Sequence, residues 1–233
     1  MKMRIALLTI LCLALAAVPA LAQVVSYDNG RGNGTTDAWT INFGYVVSND
    51  FSTGPEGTGM NLVIGFSLNV WEFPGDSLSS LDYSITGSEN APCPSDLCLG
   101  SGTVSKSGMS LNDAFISTNQ FGYNFDLVSA NLSFQSVSVP EGSREWLNLF
   151  NAVVPSGDPV YWDENSGAGC GGYQGNGDCP SSASESAVGT IPSEAFTIVG
   201  QQSSQGTTPE PSSIMLLGSG VLGLAGLLRR KLF

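Results

Sequence analysis

Large apolar side chains recur at every second position along much of this chain, the period of a half-buried β-strand rather than of a helix. Trp39, Ile41, Phe43, Tyr45 and Val47 alternate with smaller or polar neighbours, which predicts one strand with all its large groups on one face. Leu62, Ile64, Phe66, Leu68 and Val70 repeat the pattern, and Pro74-Gly75-Asp76 then turns the chain. Leu81, Tyr83 and Ile85 alternate again, as do Phe121, Tyr123, Phe125 and Leu127. Residues 132–139, 146–154, 159–162 and 195–199 are further strand candidates, and turn-rich stretches separate them all. No long segment carries the 3.6-residue period of an amphipathic helix. About eight to ten short strands of this kind predict an all-β protein, an antiparallel β-sandwich with jelly-roll-like topology. A closed barrel is the alternative. Neither an internal repeat nor a second core is visible, so residues 23–200 are expected to form one domain.

The two ends break this pattern. Lys2 and Arg4 precede an apolar run over residues 5–18; Pro19 interrupts it, and Ala20-Leu21-Ala22 supplies small residues around a cleavage point. This is the layout of a secretory signal peptide over residues 1–22, with signal peptidase cutting before Gln23. The run is too short for an ordinary membrane span, which takes about 20 residues. At the other end, a polar linker (201–208) leads into Pro209-Glu210-Pro211, an uncharged Leu- and Gly-rich run, and the basic cluster Arg229-Arg230-Lys231. At 1.5 Å per residue, residues 212–228 come close to the roughly 30 Å of a hydrocarbon core. The run is therefore expected to be a transmembrane helix. A buried core helix is the competing reading, but four glycines, Gly218, Gly220, Gly223 and Gly226, disfavour it in water. Lys and Arg resist translocation, so the basic end should stay cytoplasmic and the body outside.

Pro209, Glu210 and Pro211, the Gly/Leu-rich span, and the cluster Arg229, Arg230 and Lys231 together resemble the PEP-CTERM sorting tail of exported Gram-negative bacterial proteins, over residues 209–233. The resemblance implies recognition by exosortase, a membrane-embedded cysteine transpeptidase, with transit through the inner membrane and cleavage near Pro209–Pro211. Such tails are also described on some ice-binding proteins. The tail is an address and leaves the activity of the body open.

Charge and composition narrow what that body can do. The chain has no histidine, which excludes Ser-His-Asp and Cys-His catalysis and imidazole metal sites. Residues 23–208 hold 19 acidic side chains against only Arg31, Lys106 and Arg144, a net −16. Such a surface repels nucleic acid and anionic lipid and attracts Ca²⁺ or basic partners. After removal of Cys12 with the signal, Cys93, Cys98, Cys170 and Cys179 remain, an even set in an oxidising compartment. Local pairing, Cys93–Cys98 and Cys170–Cys179, is favoured. A four-cysteine zinc site competes, but eight residues between Cys170 and Cys179 do not make a zinc knuckle.

Two segments carry candidate chemistry. Residues 28–37, with Asp28 and Asp37 at the ends and three glycines, two asparagines and Arg31 between them, offer oxygen ligands on a bent backbone, which suits Ca²⁺ though it matches no established calcium motif. Tyr161-Trp162-Asp163-Glu164-Asn165 sets aromatics beside carboxylates, a combination that stacks on a sugar ring and hydrogen-bonds its hydroxyls. Trp162 packing in the core is the competing reading. A glycosidase needs only two carboxylates, but no acid stands in a catalytic motif and no nucleophile elbow or phosphate loop is present. The expectation is a non-catalytic exported protein of the cell surface or extracellular matrix. A calcium- or carbohydrate-binding module contacting extracellular polysaccharide is the alternative, and a glycan-active hydrolase the third reading.

Overall fold

In the computed structural model, residues 23–32, 34, 37–52, 62–94, 97–119, 121–165 and 181–201 are described. They form two antiparallel sheets. The first contains β1 (Gln23–Asp28), β2 (Ala38–Thr40), β4 (Leu62–Glu72), β7 (Met109–Thr118), β8 (Asn124–Ser138), β10 (Tyr161–Asp163) and β13 (Phe196–Gln201). The second contains β3 (Val46–Ser52), β5 (Ser80–Thr86), β6 (Cys98–Ser105), β9 (Arg144–Val153), β11 (Ala183–Glu185) and β12 (Gly189–Ile191), in the order β12-β11-β3-β9-β5-β6. Among the described residues the helical content is one 3-10 turn, Lys106–Gly108, and no helix is long and apolar enough to cross a membrane. The signal peptide, the linker beyond Gln201 and the whole of the unit 204–233, including the expected span and sorting motif, lie outside the described residues.

The core forms where the alternating faces meet. Phe66, Leu68 and Val70 of β4 and Val128, Ala130 and Leu132 of β8 are buried in the same cluster as Leu81, Tyr83, Ile85, Leu147 and Leu149 of the second sheet. Phe66 meets Tyr83 edge-on at 5.8 Å, and Phe134 stacks on Tyr83 at 4.2 Å, so aromatic contacts cross between the sheets. Burying such side chains contributes about 1.5–3 kcal/mol each and is the main favourable term.

One feature of the first sheet positions the site. A single edge of β4 is shared: β13 pairs with residues 62–68 and the short β10 takes over at Val70 and Trp71, while β8 runs along the whole opposite edge. Asn69 sits at the changeover. Beyond β10, β2 continues the sheet through Tyr161–Thr40 and Trp162–Trp39 pairs.

Three expectations are corrected here. The alternation from Trp39 to Val47 is not one strand. Asn42, Phe43 and Gly44 form a turn with φ of 56° at Phe43 and 87° at Gly44, and the chain leaves the first sheet as β2 and joins the second as β3. Phe43 and Tyr45 are consequently exposed. Phe121 and Tyr123 likewise precede β8 and occupy the β7–β8 turn. Finally, the described residues hold thirteen strands, because Gly-, Ser- and Asn-rich β6, β7, β11 and β12 lack the apolar alternation that marks the others.

Of the predicted disulfides, Cys93–Cys98 is formed, with Cα atoms 5.7 Å apart; Cys170 and Cys179 lie outside the described residues. The bridge closes the loop that folds back over the second sheet. There Asn90 donates its backbone N–H to Ser48 Oγ (2.9 Å) and its Nδ2 to Ser184 Oγ (2.9 Å). Asn148, opposite Ser48 on β9, donates its Nδ2 to Thr86 Oγ1 at 2.8 Å.

Candidate functional site

β10 alternates its side chains across the sheet, so the predicted Tyr161–Asn165 segment is divided between two environments. Trp162 faces the core. It is 0% exposed, its Nε1 donates to Ala195 O at 3.0 Å, and it meets Phe196 edge-on at 5.5 Å. It is therefore a packing residue and not a ligand contact, which corrects the sequence expectation. Tyr161 and Asp163 face outward.

Asp163 is also fully buried, covered by the segment that contains the other predicted site. Its Oδ1 accepts from Trp71 Nε1 at 2.7 Å and its Oδ2 from the backbone N–H of Gly34 at 3.2 Å. Gly32 pairs with Asn165 in an isolated antiparallel bridge. A Cβ on Gly32 would overlap Asp163 Oδ2 and press on Asn69 Nδ2, so only glycine lets the backbone come this close. Burial pushes the Asp163 carboxyl up to about 7, the Trp71 and Gly34 N–H donors oppose the rise, and the charge of Glu164 adds to it.

On the inner side, Glu164 stands opposite Glu194 in a second isolated antiparallel bridge, a placement that puts both side chains on one face with Cβ atoms about 4.5–5.5 Å apart. Glu164 Oε1 accepts from Trp39 Nε1 at 2.7 Å, and the Glu164 backbone N–H donates to Asp37 O at 3.1 Å. Glu194 is 0% exposed, and neither of its carboxylate oxygens has a hydrogen-bond partner. Its backbone, by contrast, is gripped: its N–H donates to Asn49 Oδ1 at 2.7 Å and its carbonyl accepts from Asn29 Nδ2 at 2.5 Å. Burial raises its carboxyl well above the usual range, and the charges of Glu164, Asp163 and Asp37 raise it further. Glu164 is raised by burial, against the Trp39 hydrogen bond, with Asp37 adding to the shift.

The outer surface beside Asp37 is an aromatic cleft of about 340 Å³. Trp71, Phe73, Phe125 and Tyr161 line it, with Asp37 and Asn119 as polar groups. Phe125 packs on Trp71 at 5.4 Å and on Phe73 at 4.8 Å, and meets Tyr161 edge-on at 5.7 Å. Phe121 and Tyr123 complete the cleft from the β7–β8 turn and are 75% and 62% exposed. That turn is built: Asn119 Oδ1 accepts from the backbone N–H groups of both Phe121 and Tyr123 at 3.0 Å, and Gly122 takes a φ of 83°. Aromatic faces of this kind cover an apolar ring face, and the adjacent polar groups fix orientation.

Sequence reasoning thus named two weak segments separately, and the fold joins them. Asp37, Asp163 and Glu164 come together; Asp28 instead closes its own turn by accepting from Gly30 N–H at 2.9 Å. Asp163 and Glu164 are buried acceptors for two tryptophan N–H groups, not exposed sugar contacts. Glu194 was missed, because an acid in Ile-Pro-Ser-Glu-Ala carries no local signature. The exposed ring pair was missed as a pair because its alternation mimics a strand. Among the described residues, no three His, Cys, Asp or Glu side chains are placed to hold a metal ion between them.

An all-β body with a ligand-sized aromatic cleft defines the class of the folded part. The family model of the PEP-CTERM protein-sorting motif matches residues 207–231. The chain carries that sorting motif, which marks an exported protein sorted to the cell envelope by exosortase. No curated protein and no solved structure matches the chain.

Proposed function

We propose that this exported protein serves at the cell surface or in extracellular matrix as a non-catalytic module that holds a neutral glycan in the aromatic cleft. The observation that carries the reading is the pair Phe121 and Tyr123, held outward on a hydrogen-bonded turn beside Trp71, Asp37 and Asn119. Large rings left in water around a concave site favour an apolar-faced ligand, and carboxylate and amide groups favour one bearing hydroxyls. The net −16 of residues 23–208 disfavours uronate or sulfated polymers. Asp163, at the end of β10, and Glu164, just after it, point to opposite faces of the sheet and are both buried, which supports binding over two-carboxylate hydrolysis.

For the ends of the chain, we propose removal of residues 1–22 by signal peptidase and insertion of residues 212–228 into the inner membrane with Arg229, Arg230 and Lys231 on the cytoplasmic side. Exosortase would then act near Pro209–Pro211. Intact-mass measurement of the exported protein tests this: a mature N-terminus at Gln23 and loss of the tail are expected, and retention of residues 1–22 contradicts it. The cleft is tested by affinity electrophoresis of the full chain through gels containing soluble neutral polysaccharides. Retardation by at least one polymer is expected, as is its loss in a Phe121→Ala/Tyr123→Ala variant. Equal migration of the two proteins in every gel contradicts the reading.

A further inference from the structure

A fully buried carboxylate with no hydrogen-bond partner is the strongest local anomaly in the molecule, because such groups are almost always paired with protein, water or an ion. Glu194 is that group, with both Oε1 and Oε2 unpartnered while Asn29 and Asn49 fix its backbone. It stands directly opposite Glu164, and Asp37, which is exposed, reaches the same region through the Glu164 N–H to Asp37 O bond. We propose that Glu194 and Glu164 bind one Ca²⁺ ion between the two bridged strands; the exposed Asp37 carboxylate acts on the ion through its charge and is not a third ligand.

Protonation of Glu194 would remove its charge and still leave its oxygens without partners. A cation bound bidentately satisfies both at once. Glu164 is available for the same ion from one oxygen, since the other accepts from Trp39 Nε1. Two carboxylates leave most of the shell to main-chain carbonyls, amide oxygens and water, which Ca²⁺ accepts with six to eight oxygens in flexible geometry. Mg²⁺ demands a stricter octahedron and gives up its waters reluctantly. The chain has no histidine, and among the described residues the two cysteines, Cys93 and Cys98, are bonded to each other, so the described donors at this place are all oxygen, the set that suits Ca²⁺. A weak extracellular-type site of this sort also fits an exported protein, where Ca²⁺ is plentiful. The ion would tie the end of β10 to the strand entry at Glu194, directly behind the cleft.

The test is a calcium titration of the full chain after EDTA treatment, read by thermal unfolding and by Tb³⁺ luminescence sensitised through Trp39. At Ca²⁺ tenfold above its dissociation constant, the midpoint should rise by roughly 3–6 °C. Tb³⁺ emission should appear and be displaced by excess Ca²⁺. Glu194→Gln, nearly isosteric, should abolish both responses, and Asp37→Asn, at an exposed position, should weaken them several-fold. Asp82→Asn, in the second sheet and bonded to Thr103 and Asn151, should leave both unchanged. A wild-type chain that shows neither response overturns the proposal, as does an equal response to Mg²⁺. If Glu194→Gln does not fold, unchanged Ca²⁺ affinity in Glu164→Gln and Asp37→Asn overturns it instead.

Discussion

Gly32 has no side chain to contribute, yet the site depends on it. Its backbone crosses Asp163 so closely that a methyl group would occupy the space of Oδ2. Gly32→Ala should therefore destabilise the fold by about 1–3 kcal/mol, the usual range for overpacking. Urea unfolding measures this, and an unchanged midpoint would mean that the Gly32 segment does not cover Asp163. Glu145 supplies a titration at the same scale. Burial raises its carboxyl above the usual value, against a hydrogen bond from Ser143, and Arg144 beside it is committed to Asp50 at 3.1 Å. An acid whose folded value lies above its unfolded one binds protons more tightly when folded. Its contribution is fully present below about 4.5 and declines as pH rises through the folded value. Glu145→Gln should flatten that decline, as read from unfolding midpoints measured at a series of pH values upward from 4.5.

Elements differ in how much of themselves they declare. β4, β9 and β13 could be read directly, since Phe66, Leu68 and Val70, or Leu147 and Leu149, bury alternate apolar groups in the core. β3 continues past Val47 as Ser48, Asn49 and Asp50, all buried; its polar groups are satisfied by partners far away in sequence, which no local pattern announces. The Asn42-Phe43-Gly44 turn hid inside a perfect alternation, because a period of two says which residues share a face and not whether the chain stays in one sheet. Gly44→Ala should cost about 1 kcal/mol, since φ there is 87° with open space around the Cβ. The Cys93–Cys98 loop makes a parallel statement. By loop-closure entropy, replacing both cysteines with serine should lower stability by about 2 kcal/mol, measured by denaturant titration. The fold should persist, because the loop covers the second sheet and does not build its core.

At the scale of the whole molecule, sequence and structure are informative about different things. Export was legible in the Pro209-Glu210-Pro211 tail, whose order of motif, apolar run and basic cluster is local and therefore visible in a string of residues. The cleft was not, because it is assembled from β2, β4, β8, β10 and the β7–β8 turn, and only the antiparallel pairing of Tyr161 with Trp71 and Thr40 brings these together. Of the acids around it, Asp37, Asp163 and Glu164 come together as one neighbourhood: the last two are buried acceptors for the N–H groups of Trp71 and Trp39, while the exposed rings form the proposed binding face. Removing a ring that anchors a binding face as a hot spot costs about tenfold or more in affinity. The most direct measurement is the dissociation constant of the full chain for a polysaccharide that retards it, set beside that of Phe121→Ala. The account predicts weakening of roughly tenfold or more with an unchanged unfolding midpoint; equal affinity in the two proteins would contradict it.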